Sequence, residues 1–286
     1  REHLDNDASA AELCNRGGLL GEVAAEGVHV CDDEHIAPRE GVEETVQSFR
    51  RWSDRPVSVT RSRPRDFAFE NGEFVTIGLK REGKLVARAY SIVSTADRDH
   101  LEFLSIHVPD GPLTSRLVHI RPGDAGWVNG EATGSLTLNH VLPGRTLYLL
   151  ATGTGLAPFM SLIRDAELYA RFENVVLVHS VRTVAELAYR DEIESLDNPQ
   201  LYYVPTVTRE PFPVPERGGD LFRSGVLSQR LGLPAADPEQ DRVMVCGNPA
   251  MTRELTHYLK DSGWTPTNHR GVGNFTTEVA FVVHHA

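Results

Sequence analysis

The chain has 286 residues, 40% hydrophobic and 24% charged, which is the mix of a soluble globular protein able to bury one large core or two ordinary ones. No apolar run approaches the ~20 residues that a membrane span requires, and a net charge of −11 argues against a general nucleic-acid binder. Three cysteines, Cys14, Cys31 and Cys246, are too few and too scattered for a disulfide framework, a four-cysteine zinc site or a four-cysteine iron–sulfur cluster, so no metal site is expected and redox chemistry needs another cofactor. The first residues carry no charged-then-apolar signal pattern, and a cytoplasmic protein without nucleic-acid or membrane partners is expected.

Residues 1–45 hold twelve acidic residues against Arg1, Arg16 and Arg39, a net charge of −9, with few aromatics. Such a stretch cannot build much core, so residues 1–43 read as a loosely ordered acidic extension with one short helix near Ala8 to Cys14. From Arg50 to Tyr90 the sign reverses, ten basic residues facing five acidic ones. Val57–Arg61, Gly72–Lys80 and Lys84–Ile92 have the β-branched content and glycine punctuation of antiparallel strands. Further strands are expected at Leu101–Val108, Asp124–Val128 and Ser135–Leu138, with a single helix over Leu113–Ile120. Short strands in this succession predict a closed or nearly closed β-barrel over residues 44–144.

Within that region, Arg88-Ala89-Tyr90-Ser91 offers a ring for a flat heterocycle and donors for a diphosphate, although the tetrapeptide alone reads more readily as a strand with an outward Arg and a core Tyr. Gly111-Pro112-Leu113-Thr114-Ser115 opens the helix, either as an anion site on free amides or as an ordinary Ser/Thr N-cap. His107 is most simply a polar-face strand residue.

After Pro143-Gly144 the rhythm changes. Strands Thr146–Ala151, Asn174–Ser180, Leu201–Thr208 and Arg242–Cys246 alternate with helices Phe159–Ala170, Val184–Leu196, Gly225–Leu231 and Pro249–Ser262, which predicts a doubly wound parallel sheet over residues 145–286. The apolar run Leu147–Ala151 ends in Thr152-Gly153-Thr154-Gly155, where the backbone can turn sharply and a phosphate can approach unshielded amides. Pro158 stands where the dinucleotide fingerprint has its third glycine, so the motif is a different one, and proline suits an early helix position. Arg182, after His179-Ser180-Val181, and Arg209 follow strand ends. A guanidinium fork there matches a 2′-phosphate, whereas Glu210 is the acid that a free ribose hydroxyl would need; alone, the arginines read equally as solvated loop residues.

In this order and spacing, the motifs resemble the bacterial ferredoxin/flavodoxin–NADP(+) reductases from about Glu44 to the C-terminus. The resemblance implies FAD held by Arg88, Ala89, Tyr90 and Ser91, with Tyr90 on one face of the isoalloxazine, and its diphosphate at Leu113, Thr114 and Ser115, with His107 a further contact. It implies NADP(H) at Thr152, Gly153, Thr154, Gly155 and Pro158, Thr154 also lying near the flavin, and at His179, Arg182 and Arg209. Cys246 would sit beside the nicotinamide and the flavin, helping to align hydride transfer, with Gly247, Asn248 and Pro249 as further cofactor-binding residues. The ending Ala280-Phe281-Val282 is similar to one bacterial subgroup, which implies Ala280 against the isoalloxazine and Phe281 on the adenine. Tyr90, Cys246 and Ala280 would then shape the catalytic geometry. Arg217, in Glu216-Arg217-Gly218, departs from the family's Gly-Arg-aliphatic pattern.

The implied activity is FAD-dependent electron exchange between NADPH and a one-electron carrier, ferredoxin or flavodoxin, in a monomer. The Arg50–Arg88 stretch would supply a basic face for an acidic carrier, and the acidic extension would fold over it in competition. The alternatives are an oxygenase-linked or free-flavin reductase of the same superfamily, and a flavoprotein sensor that binds NADP without turnover.

Overall fold

The computed structural model describes residues 21–23, 28–30, 41–81, 84–268 and 271–280, and they form two sheets. The helix expected near Ala8 to Cys14 lies outside the described residues.

The first sheet is antiparallel. It contains β3 (Val42–Arg51), β4 (Pro56–Ser62), β5 (Phe74–Arg81), β6 (Lys84–Ser91), β7 (His100–Ile106) and β8 (Ala125–Val128) in the order β6-β5-β8-β3-β4-β7. A bridge between Ile92 and Phe103 brings the two ends of that order together, so the sheet curls into a barrel. Side-chain alternation fills it: Val59, Val75, Ile77, Leu101, Phe103 and Val128 are buried. The expected strand at Ser135–Leu138 does not form. Thr133 makes a lone bridge to Phe74, and the Ser135 amide instead donates to the carboxylate of Glu278 at 2.6 Å, so a side chain replaces the ladder. One short helix, α1 (Thr114–Leu117), closes an end, its Leu113 and Leu117 packing on Val46 and Val59.

The second sheet has a parallel core made of β9 (Gly144–Thr152), β10 (Phe172–Val181), β11 (Leu201–Val207), β12 (Arg242–Gly247) and β13 (Phe275–Val279), ordered β13-β12-β9-β10-β11. Both faces are covered, which is why β9 reads as one apolar run: Leu147, Leu149 and Ala151 join one buried cluster, Tyr148 and Leu150 the other. The chain winds outward from β9 through β10 and β11, then returns to β12 on its other side. The topological switch point therefore lies between β9 and β12. Beyond β13 the edge is extended by β1 (Gly21–Val23) and β2 (Val28–Val30), an antiparallel hairpin whose second strand runs parallel to β13.

Several helices differ from expectation. The segment Phe159–Ala170 is two helices, α2 (Ala157–Ile163) and α3 (Ala166–Arg171), because Asp165 is extended and its side chain accepts the Glu167 amide as an N-cap. Val184–Leu196 is a 3-10 turn at Val184–Glu186 followed by α4 (Arg190–Ser195), interrupted by Tyr189 at φ 60°. The loop after β11 contains an unforeseen helix, α5 (Gly218–Arg223), before α6 (Val226–Leu231) and α7 (Pro249–Asp261). No helix among the described residues is long and apolar enough to cross a membrane.

Candidate active site

A cleft of about 670 Å³ opens at the carboxyl ends of the parallel strands. Thr152, Gly153 and Thr154 from the end of β9, Arg182 after β10, Arg209 after β11 and Asn248 after β12 line it, and Leu104 and Ile106 of β7 form its barrel-side wall. Each motif is delivered by a strand end because a parallel sheet places all its carboxyl ends on one edge. Gly153 adopts φ +54°, and the space where its Cβ would stand is open to 4 Å, so the turn presents bare backbone. Gly155 answers to a different demand. A Cβ there would stand 2.1 Å from the Cys246 carbonyl oxygen, so glycine permits β9 and β12 to meet at the switch point.

Hydrogen bonds hold the turn from behind. The Thr152 Oγ1 accepts from the Asn248 amide at 2.8 Å, and Asn248 in turn N-caps α7 by accepting from the Met251 amide at 3.0 Å. His179 is buried, and its Nε2 donates to the Gly153 carbonyl at 3.1 Å, a partner that can only accept. Burial pulls its pKa down to about 4, so the ring is neutral at physiological pH. His179 thus sits behind the turn, fixing its path.

The arginines gather as the resemblance implies, with additions. Arg55, Arg182, Arg209 and Arg217 all line the cleft. Arg217 arrives because α5 starts immediately after it, although its flanking residues depart from the family's pattern, and Arg55 does not stand out in the sequence without the tertiary arrangement. Arg55, in the β3–β4 turn, reaches Glu186 of the other sheet at 3.6 Å. Glu210 is occupied elsewhere: its carboxylate accepts the Val184 amide. That leaves a donor set suited to a phosphate and engages the acid that a ribose hydroxyl would need.

On the barrel side, Arg88, Ala89, Tyr90 and Ser91 run along β6 and are all partly exposed. The Tyr90 ring meets Phe103 edge-on at 6.4 Å and its hydroxyl lies 3.2 Å from Ser105 Oγ, which fixes the ring plane. At the start of α1, neither hydroxyl caps the helix: Thr114 Oγ1 donates to the Val108 carbonyl at 3.2 Å and Ser115 Oγ to that of Gly111 at 2.7 Å. Leu113 buries its side chain in the barrel. His107 is half-buried just beyond β7, its amide donating to the Arg55 carbonyl at 2.7 Å. Together these residues offer a planar ring, a guanidinium and two hydroxyls at a helix start, groups that suit a flavin dinucleotide, although the Ser115 amide already donates to the Gly111 carbonyl at 3.2 Å.

Cys246, Gly247, Gly155 and Pro158 are buried behind the cleft wall; Pro158 occupies the first turn of α2, where a missing N–H is harmless. Asn248 and Pro249 are half-buried at the head of α7. Burial, and then the neighbouring Glu278, push the Cys246 thiol well above its ordinary pKa, which keeps it neutral. Ala280 packs on the cluster that contains Cys246, and its amide donates to the Gly247 carbonyl at 2.9 Å. Phe281 lies outside the described residues.

Glu278 is the residue that sequence reading passed over. It pairs in register with Cys246, and its Oε1 accepts from the Ser135 amide at 2.6 Å and Ser135 Oγ at 3.1 Å. Burial outweighs those bonds and raises its pKa to about 7. A lone acid in the otherwise uncharged strand Phe275–Val279 was the available sign.

Residues 149–257 match the family model described as Oxidoreductase NAD-binding domain. A ferredoxin–NADP reductase of Pseudomonas aeruginosa is 46% identical over 250 residues, spanning 84% of this chain and 97% of its own. The chain belongs to the ferredoxin–NADP reductase family. The ferredoxin–NADP reductase of Azotobacter vinelandii is 47% identical over 251 residues, with 84% of this chain and 97% of that one covered. Among solved structures, a ferredoxin NADP+ reductase from Neisseria gonorrhoeae with bound FAD and NADP aligns with a TM-score of 0.81 at 30% identity, covering 85% of this chain and 100% of its own. The antiparallel barrel followed by the doubly wound sheet is the two-domain fold of these reductases.

Proposed function

We propose that this reductase exchanges electrons between NADPH and a small one-electron carrier protein, a ferredoxin or flavodoxin, by way of bound FAD. The observation that carries it is the shared cleft: the Thr152–Thr154 turn and the arginines of the parallel sheet face Leu104 and Ile106 of the barrel across one opening. Bound FAD supplies hydride exchange with the nicotinamide and single-electron transfer to the carrier. The chain supplies position.

Arg182 and Arg209 hold the 2′-phosphate, and their guanidinium forks select NADP(H) over NAD(H). Thr152, Gly153, Thr154 and Gly155 lead the nucleotide to the seam with the barrel, with His179 and Asn248 keeping that turn in place. Tyr90 fixes one face of the flavin, Arg88, Ser91, Thr114 and Ser115 its diphosphate, and Ala280 the other face, while Cys246 fills the space behind the nicotinamide as a neutral thiol. Glu278 is a buried carboxyl able to hold a proton beside Cys246 near neutral pH.

The basic face for an acidic carrier is narrower than the sequence implies. Arg61 is buried, Arg63 donates to the carbonyls of Phe67, Ala96 and Arg98, and Lys80 pairs with Glu43 at 2.6 Å. Arg50, Arg51 and Arg65 remain exposed. Anaerobic stopped-flow mixing tests the reading: NADPH bleaches the flavin absorbance much faster than NADH, and oxidised ferredoxin or flavodoxin restores it. Absence of bleaching refutes it.

A further inference from the structure

Arg61 heads the fully buried side chains by volume, with 0% exposure. It stands on β4 with its register partners Val46 and Leu101 on either side, pointing into the barrel with Val57 and Val59. Its Nε, Nη1 and Nη2 have no hydrogen-bond partner among the described residues. Gly126 makes room for it, since a Cβ at that position would stand 1.9 Å from Nη1. Burial lowers its pKa to about 10, which leaves it protonated at neutral pH, and the ionisable group that acts on it is the Tyr90 phenol, uncharged at that pH. A cation in an apolar core, with five donors and no counter-ion among the described residues, costs stability, and a hydrophobic side chain of the same size would serve packing better.

The surroundings suggest what compensates it. Val46 and Val59, neighbours of Arg61 across and along the strands, form one apolar cluster with Leu113 and Leu117, which flank Thr114 and Ser115, and Tyr90 packs on the same cluster. The medium between the guanidinium and the proposed diphosphate cradle is therefore low in dielectric, where a charge acts at longer range than in water.

We propose that Arg61 is the interior counter-charge for the FAD diphosphate, a binding determinant that acts through the barrel core without touching the ligand. This rests on the FAD reading above. The dinucleotide carries two negative charges on its diphosphate and riboflavin carries none, so the two flavins separate charge from packing. Arg61→Met keeps the length of the side chain and removes its charge, while Arg61→Lys keeps the charge.

Holoenzyme diluted into flavin-free buffer releases FAD, and flavin fluorescence reports the rate and the affinity. Arg61→Met is expected to weaken FAD roughly three- to tenfold and to leave riboflavin affinity of the reloaded protein unchanged; Arg61→Lys stays near the parent. Equal FAD retention in Arg61→Met overturns the proposal, and so does a parallel loss of FAD and riboflavin, which would make Arg61 a packing residue. A parent protein that fails to retain FAD at all overturns the underlying reading as well, so the two failures are distinguishable.

Discussion

Glu278 illustrates how a single burial event sets both chemistry and stability. Its carboxyl is at ordinary acidity in the unfolded chain and titrates at about 7 when folded. A raised folded pKa means that the contribution to stability is fully present below about pH 4.5 and is lost as pH rises through about 7. At 1.36 kcal/mol per unit, the loss is roughly 3 kcal/mol. Glu278→Gln keeps an oxygen for Ser135 and removes the titration. In urea unfolding it should exceed the parent in stability at pH 8 by up to about 3 kcal/mol and converge with it at pH 4. His179 moves oppositely, losing stability as pH falls from its ordinary value through about 4, but it is common to both proteins and cancels in the difference. Reading the sequence found Cys246 and His179 as members of motifs; that His179 is as buried as Cys246 was not legible, because exposure is a property of what packs over a strand.

At the level of elements, the four expected parallel strands were read better than the helices, whereas in the barrel β3 was not foreseen and the strand expected at Ser135–Leu138 did not form. The two faces of β9 through β12 are covered, so an apolar run bounded by turn residues is an adequate sign of each. Helices were drawn too long where a local device stops them. At Asp165 that device is a cap that serves two masters: Oδ1 accepts the Glu167 amide at 2.9 Å and Oδ2 accepts Asn71 Nδ2 of the barrel at 2.7 Å. Asp165→Ala removes the cap and one bond between the domains, and thermal unfolding should show a loss of about 1–2 kcal/mol. Nor is the break at Tyr189 local in origin. Its ring packs at 4.5 Å on Trp52 and its hydroxyl donates to Glu102 at 2.7 Å, contacts with the barrel that hold a left-handed backbone that few bulky residues adopt.

The whole molecule is what turns scattered arginines into a site. Arg182 and Arg209 come from two strand ends, Arg217 from the start of α5, and Arg55 from the barrel. Charge-assisted phosphate bonds contribute about 1.5–3 kcal/mol each. The Arg182→Ala/Arg209→Ala double variant should therefore lower kcat/KM for NADPH by roughly 10²-fold or more while leaving that for NADH nearly unchanged. Steady-state assays with both nucleotides check it, and an equal loss for both would place the two arginines outside 2′-phosphate recognition. The domains are also tied together: Arg164, at the end of α2, donates to the Val93 carbonyl at 2.8 Å, pairs with Glu192 and stands 3.7 Å from Glu102 of the barrel.

By itself the sequence determined the two-part architecture and the glycine turn after β9, because strand periodicity and glycine turns are written in local residue types, while the flavin assignment came from the resemblance in motif order. Only the tertiary structure decided which charges are free. Arg61, Arg63 and Arg88 look alike as letters, yet the first is sealed in the barrel, the second is tied to the carbonyls of Phe67, Ala96 and Arg98, and the third is half-exposed on β6 with Nη1 donating to the Ala87 carbonyl at 2.7 Å. Likewise Glu210 and Glu278 are both single acids after or within strands, and the fold ties one to an amide at the cleft's edge and buries the other beside Cys246. The electrostatic role of a charge depends on its dielectric and its partners, and both come from residues far away in the chain.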